Sequence, residues 1–342
     1  MSASTLDILL DANARFSLDA KGTTNHCPMA LVALAKMGAP PSRLQAFFDY
    51  WEREYALLLP QHAEPVARAA WPAQQGRREA FDAVKLCFEG WLAEADAAQV
   101  LAAVLQQIPA APGSGAFHAW IRLSYGLEAA HAGEIAAGLA ALVVGNLAIP
   151  VALIEPVAAS SVDAALARLA QVFCGTAFAG NSITGRLRAV AADSRFAAAL
   201  TAPPAMPGLS ATLDAMAHTA IAAYWQTADF TVLHMVTVIH AARRIFAMLP
   251  AQQAPQLLYE LWVAWCAAYV STGAPPLDPV GFPVPTAETL PDWAVLLSAA
   301  VASNNDHVIK LSYTCYCEAA RDPQPIYRAV VARLVRGDAV AV

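Results

Sequence analysis

The chain has 342 residues, of which 58% are hydrophobic and only 14% charged, and its formal net charge is -6. Average soluble domains carry about 25% charged residues, so an unusually large share of this chain is expected to be buried. The acidic balance, with no basic cluster of the kind that tracks phosphates, argues against nucleic acid as a partner.

The N-terminal MSASTLDILLDANARF has acids where a secretory signal needs a basic region, so a cytoplasmic location is expected. In chain order, CPMALVALAKMG reads as a helix, with Pro28 in its first turn, Gly38 as its stop and His26 just ahead of it. PSRLQAFFDYWEREYALLL and REAFDAVKLCFEGWLAEA follow as helical segments, the aromatic run of the first reading as core plus a solvated face. GSGAFH (113–118) is a glycine-rich helix entry with no strand before it, hence a loop and not a phosphate cradle. It leads into FHAWIRLSYGLEAAHAGEIAAGLAALVV.

The stretch from Ile135 to Ile154 is uncharged over 20 residues, long enough to span a bilayer. Asn146 and Pro150 interrupt it, Glu134 and Glu155 bound it, and no basic anchors flank it. It therefore reads as a buried helix ending near Asn146 and a second apolar segment, with no membrane partner. The proline-rich stretches 201–210 and 272–291 read as loops, the second long enough to serve as a lid or pocket mouth. DFTVLHMVTVIHAARRIFAML and DWAVLLSAAVASNNDHVIKLSYTCYCEAAR complete the helical segments. Alanine is abundant and strand signals are scarce. The prediction is an all-α, multi-helix single domain over residues 1–342, with ten or more helices and a central buried metal or substrate site. A division near residue 200 is the lesser alternative.

Six cysteines (Cys27, Cys87, Cys174, Cys266, Cys315, Cys317) are scattered, and the only close pair is spaced C-x-C. Zinc knuckles use C-x-x-C pairs in turns, so reduced, buried thiols are expected. No G-x-G-x-x-G, Walker loop, G-x-S-x-G or H-E-x-x-H occurs.

The informative feature is polar residues that interrupt apolar helices at helical spacing. Ser303, His307, Lys310, Thr314 and Cys317 form one stripe on the last long helix; His118, Arg122 and Tyr125 form another. His234 and Thr237 share a face, and His240, six positions on, points about 120° away. With His26, four segments each offer a histidine where core packing is expected. His62, His131 and His218 read as surface or ordinary core positions. Histidines converging from several helices are what helical metal sites use, and imidazole suits iron, zinc, copper or nickel. Each histidine alone is more often a hydrogen-bonded core residue.

The chain has four lysines, and Lys21, Lys36 and Lys85 fall in segments able to reach solvent. Lys310 instead lies among Val308, Ile309 and Leu311. Burial disfavours its ammonium form. It pairs with Asp306 at i−4 or snorkels out, acts as a proton donor or Schiff-base amine, or reacts as a neutral amine with carbon dioxide. The resulting carbamate is an anionic oxygen ligand.

The words NHCPMALVAL (25–34), FHAWIRLSYGLEA (117–129), TVLHMVTVIHAARRI (231–245) and DHVIKLSY (306–313) resemble the questin oxidase-like proteins, in family order and over nearly the whole chain. The resemblance implies an all-helical fold and oxidative cleavage of anthraquinone-type aromatic compounds with dioxygen. Described chemistries are an NADPH-assisted Baeyer–Villiger-like oxidation and, in a related member, iron-dependent dioxygenation at four histidines plus a carboxylated lysine. Carried over by position, the iron(II) ligands are His26, His118, His234, His307 and Lys310. Residues six apart on a helix rarely reach one ion, so one of His234 and His240 serves, and the resemblance favours His234, which lies in the matching word LHMVT. Arg122 is then expected to stabilise an anionic intermediate, and Tyr125 or His240 to move protons. No dinucleotide fingerprint supports an NADPH site. The alternatives are a metal-independent NADPH-linked monooxygenase and a non-catalytic helical binding protein for a hydrophobic metabolite.

Overall fold

Helix boundaries fall where caps and breakers place them. The computed structural model describes residues 4–59, 64–149, 151 and 158–337. Helix α1 (Thr5–Asn13) opens on a capping box from Ser4 and Asp7. A two-residue hairpin, β1 (Asp19–Ala20) with β2 (Thr23–Thr24), then leads into α2 (Cys27–Lys36), with Pro28 in its first turn. The chain continues through α3 (Pro41–Glu54), α4 (Phe81–Leu92), α5 (Ala97–Gln107), α6 (His118–Ala129) and α7 (Ala132–Val144). Next come α8 (Val162–Phe173), α9 (Ile183–Ala192), α10 (Ser194–Ala199), α11 (Leu209–Thr227) and α12 (Phe230–Ala247). The last four are α13 (Ala254–Ser271), α14 (Trp293–Ala302), α15 (Asp306–Arg321) and α16 (Pro325–Val335). The fold is all-helical, as predicted, and the hairpin is the only sheet among the described residues.

Two segments predicted as continuous helices are each broken in two. Residues 117–144 divide at Ala130, which takes a left-handed φ of 51° and lets His131 cap α7 by accepting from Glu134 N. Residues 292–321 divide at 303–305, where Asn305 caps α15 by accepting from His307 N and Val308 N. Ser303 is therefore the C-cap of α14 and not part of the α15 stripe. A single capping amide outweighed the helical reading of SNND, because it satisfies two N–H groups that the new helix start leaves bare.

Four helices form a closed ring that positions the site: α2 packs on α6, α6 on α12, α12 on α15 and α15 on α2. Helix α7 backs α6 at very close range, and this is where glycine is required. A Cβ on Gly138 would lie 2.5 Å from Leu123 Cα, and one on Gly126 2.7 Å from Ile135 N. Outside the ring, α4 covers α7, α13 covers α12, and α16 packs on α15. Five tryptophans (Trp51, Trp71, Trp120, Trp262, Trp265) are fully buried.

Two smaller expectations are corrected. Lys85 is buried, its ammonium donating to Ala14 O at 3.1 Å and lying 3.4 Å from Asp82. All six cysteines are free, but Cys174 at the end of α8 is exposed and Cys317 only half-buried. Of Ile135–Ile154, α7 ends at Val144 as the reading near Asn146 implied, while residues 150 and 152–154 lie outside the described residues, as does His62. No described helix is long and apolar enough to cross a membrane.

Candidate metal centre

Each helix of the ring delivers one histidine inward. His26 is the N-cap residue of α2, His118 opens α6, His234 lies one turn into α12, and His307 lies in the first turn of α15. Local backbone sets two of these placements. Asp229 caps α12 by accepting from Thr231 N and Val232 N, and Asn305 does the same for α15. Ahead of His118 the chain takes three consecutive left-handed residues, Gly115 (φ 57°), Ala116 (57°) and Phe117 (71°). For Ala116 and Phe117 this costs about 1–2 kcal/mol each, strain of the kind that collects at functional sites.

The rings pack against one another. His26 stacks on His118 with centroids 4.5 Å apart and meets His307 edge-on at 4.8 Å; His118 and His234 lie 4.7 Å apart. Ligand nitrogens of His26, His118 and His307 all fall within 4.8 Å of one another, and His234 Nε2 lies 3.2 Å from His118 Nε2. Two nitrogens each about 2.1 Å from one ion at right angles stand about 3 Å apart. The spacing fits a shared cation.

The hydrogen-bond partners decide which ring nitrogens are free. His118 Nδ1 lies 2.6 Å from Gly115 O, and His234 Nδ1 lies 2.7 Å from Phe230 O. A carbonyl can only accept, so both Nδ1 atoms carry the proton. His26 Nδ1 lies 2.7 Å and His307 Nδ1 3.1 Å from the same oxygen, Asp306 Oδ1. Burial of Asp306 would raise its pKa, but His26, His307 and Lys310 outweigh it and hold the carboxyl well below its usual range. It is ionised and accepts as well. Burial lowers the pKa of all four histidines, that of His234 to about 3, and Lys310 reinforces the shift. The imidazoles are therefore neutral near pH 7 and each presents an Nε2 lone pair. His26 Nε2 and His307 Nε2 are buried with no partner. The contact between His118 Nε2 and His234 Nε2 sets one lone pair against another, which only a proton or a cation between them makes favourable. This donor set fits a transition-metal ion.

Lys310 adjoins the cluster. It is 3% exposed, and its Nζ lies 3.2 Å from Asp306 Oδ1, the i−4 pairing that the spacing allows. Burial lowers its pKa while Asp306 opposes the shift. Phe230 covers His234 and His307 with centroids 4.7 Å from each, and Trp51 covers His26 at 6.0 Å.

The other predicted site residues lie elsewhere. Arg122 turns toward α7 and forms a bidentate pair with Glu134 (2.8 and 3.2 Å), which Asn13 also approaches at 3.0 Å. Tyr125 is buried against Tyr313, centroids 6.2 Å apart, and the Thr314 hydroxyl adjoins its own. His240 sits between carboxylates, Nε2 3.9 Å from Glu128 and Nδ1 3.9 Å from Glu318. Tyr313 and Arg244 share Glu128, and Arg243 grips Glu318 at 2.8 Å. It does not approach the four-histidine cluster by any ring contact among the described residues; His234 does. Asp306 is the site residue that the sequence reading left out of the cluster, taking it only as a partner for Lys310. Its position beside His307 was the available signal.

The described cavities bear on substrate access. One of about 20 Å³ touches His118 and Arg122. A larger one, about 380 Å³, lies under the proline-rich loop and is lined by Trp225, Leu277, Pro279 and Phe282. The cluster histidines do not line it.

No curated protein matches the chain significantly. A family profile described as Questin oxidase-like does match, over residues 23–315, a span that includes all four clustered histidines and Lys310. The chain belongs to the Questin oxidase-like family.

Proposed function

We propose that this protein is a non-haem iron(II)-dependent oxygenase acting on a hydrophobic aromatic, anthraquinone-like small molecule with dioxygen. The family name denotes an oxidase. The observation that carries the metal part is the convergence of four neutral imidazoles whose Nδ1 protons all face acceptors, leaving His26 Nε2 and His307 Nε2 without a partner and His118 Nε2 and His234 Nε2 set against each other. His26, His118, His234 and His307 would hold the ion, and iron(II) there supplies redox chemistry toward dioxygen that no side chain in the site possesses.

The chain's own residues prepare that site. Asp306 keeps protons on Nδ1 of His26 and His307, and the Gly115 and Phe230 carbonyls keep those of His118 and His234. Fixing the tautomer in this way raises ligand basicity and orients each ring. The rings of Phe230 and Trp51 exclude water. The charge balance favours a carbamate on Lys310. A divalent ion, four neutral imidazoles, ionised Asp306 and an ammonium sum to +2, whereas a carbamate in place of the ammonium brings the sum to zero. Burying net charge is costly. The amine nitrogen attacks the carbon of carbon dioxide and releases one proton, and burial favours the neutral amine that this needs. His240 and Tyr125 remain candidates for moving protons one to two turns from the cluster.

Plasma mass spectrometry of freshly purified protein, with oxygen uptake on a hydroxyanthraquinone before and after chelation, tests this reading. Near-stoichiometric iron and chelator-sensitive uptake are expected. Turnover by iron-free protein with NADPH would support the metal-independent monooxygenase instead. Binding of the quinone without oxygen uptake would support a binding protein.

A further inference from the structure

The cavity of about 20 Å³ beside His118 lies between the β1–β2 hairpin and the start of α6, lined among others by Thr24, Asn25, Gly115 and Arg122. That volume holds one water- or ion-sized occupant. Two unpartnered polar groups that can donate belong to its lining residues. Arg122 is 4% exposed and uses Nε and Nη2 on Glu134, leaving Nη1 buried with no partner. The Thr24 hydroxyl is likewise buried and unpartnered. The 12-residue helix α6 begins here with Phe117 as its N-cap residue, so no side chain caps its first N–H groups. Such a helix start favours negative charge.

No carboxylate lines this space. Both oxygens of Glu134 are engaged, Oε1 by Asn13 and Arg122 and Oε2 by Arg122. Arg78 lines the cavity as well, its guanidinium half-exposed and paired with Asp19. A buried cationic N–H, a free hydroxyl and an uncapped helix start around one ion-sized space describe an anion site. The volume excludes a phosphate group or an aromatic substrate.

We propose that the cavity binds a small monovalent inorganic anion of halide size, held by Arg122 Nη1, the Thr24 hydroxyl and the first turn of α6. The site stands on its own geometry and needs no metal in the histidine cluster.

Bromide is the probe. Crystals of the full chain, stripped of metal by chelation, are soaked in a series of sodium bromide concentrations and measured at the bromine absorption edge. An anomalous peak within hydrogen-bonding distance of Arg122 Nη1 is expected, with occupancy that saturates. Thr24→Val keeps the shape and removes one donor, so half-saturation should rise about tenfold or more, the effect of one hydrogen bond to a charged acceptor. A cavity that holds only water at every concentration overturns the proposal. So does a bromide peak whose titration Thr24→Val leaves unchanged. Since the protein is metal-free throughout, neither outcome depends on the oxygenase reading.

Discussion

Replacing Asp306 by Asn is the sharpest perturbation of the histidine cluster, because it keeps the shape of the side chain and removes only its charge. One oxygen, Oδ1, receives His26 Nδ1 at 2.7 Å, His307 Nδ1 at 3.1 Å and Lys310 Nζ at 3.2 Å. Hydrogen bonds to a charged acceptor contribute about 1.5–3 kcal/mol against about 1 for neutral ones. Losing the charge across two imidazole contacts therefore removes about 2 kcal/mol of support for the tautomers that point Nε2 inward. The same quantity appears as metal affinity, where loss of an outer-shell partner typically costs about 10–100-fold, or about 1.4–2.7 kcal/mol. Lys310 also loses its counter-charge, and breaking a buried pair costs about 3–5 kcal/mol. Part of that is relieved because burial already lowers the lysine's pKa. The metal-free variant is expected to be about 3 kcal/mol less stable in urea denaturation. Competition between the protein and a chromophoric chelator for cobalt(II) measures the affinity directly. Asp306→Asn binding cobalt(II) within twofold of the wild type would refute the role given to the carboxylate.

Gly138→Ala should lose about 3 kcal/mol in denaturant unfolding despite alanine's better helix propensity, because the new methyl lies 2.5 Å from Leu123 Cα; wild-type stability would show that α6 and α7 do not approach as closely as described. The metal-free protein should lose stability on acidification. The four clustered histidines have folded pKa values below 6.5, so the unfolded chain binds more protons, and stability is fullest above about pH 6.5 and falls below it. His234, lowered to about 3, contributes up to about 1.4 kcal/mol per pH unit between those values. A melting temperature flat from pH 7 to pH 5 would contradict this. His240→Phe should leave metal content unchanged and cost under about 1.5 kcal/mol, since Glu128 and Glu318 keep Tyr313, Arg244 and Arg243 as partners; loss of metal in this variant would move the ligand role from His234 to His240.

Much of the cluster was legible in one dimension because each helix obeys its own period. A histidine at an inward position of an apolar helix announces itself, and His26, His118, His234 and His307 do so in four separate words. The spacing argument that separated His234 from His240 also rests on helix geometry alone, and the two residues do lie in different surroundings, one against His118 and the other between Glu128 and Glu318. Arg122 shows where such reasoning ends. It shares a spacing with His118 and Tyr125, yet its guanidinium goes to Glu134, a partner on α7 that no periodicity within α6 reveals. Lys85 read as a surface lysine for the same reason, its acceptor at Ala14 lying 71 positions away in the chain.

Sequence by itself determined the helical class, the limits of helices such as α2, α4 and α12 to within a few residues and the inward direction of the four histidines, because caps, breakers and the 3.6-residue period act over a few neighbouring residues. Only the tertiary structure decided that α2, α6, α12 and α15 close into one ring, that Asp306 serves three side chains with one oxygen, and that His26 Nε2 and His307 Nε2 are left without a partner. Those outcomes depend on contacts between segments as far as 280 positions apart, such as His26 with Asp306. They are set by how packed helices exclude water and satisfy buried polar groups, which no local pattern encodes.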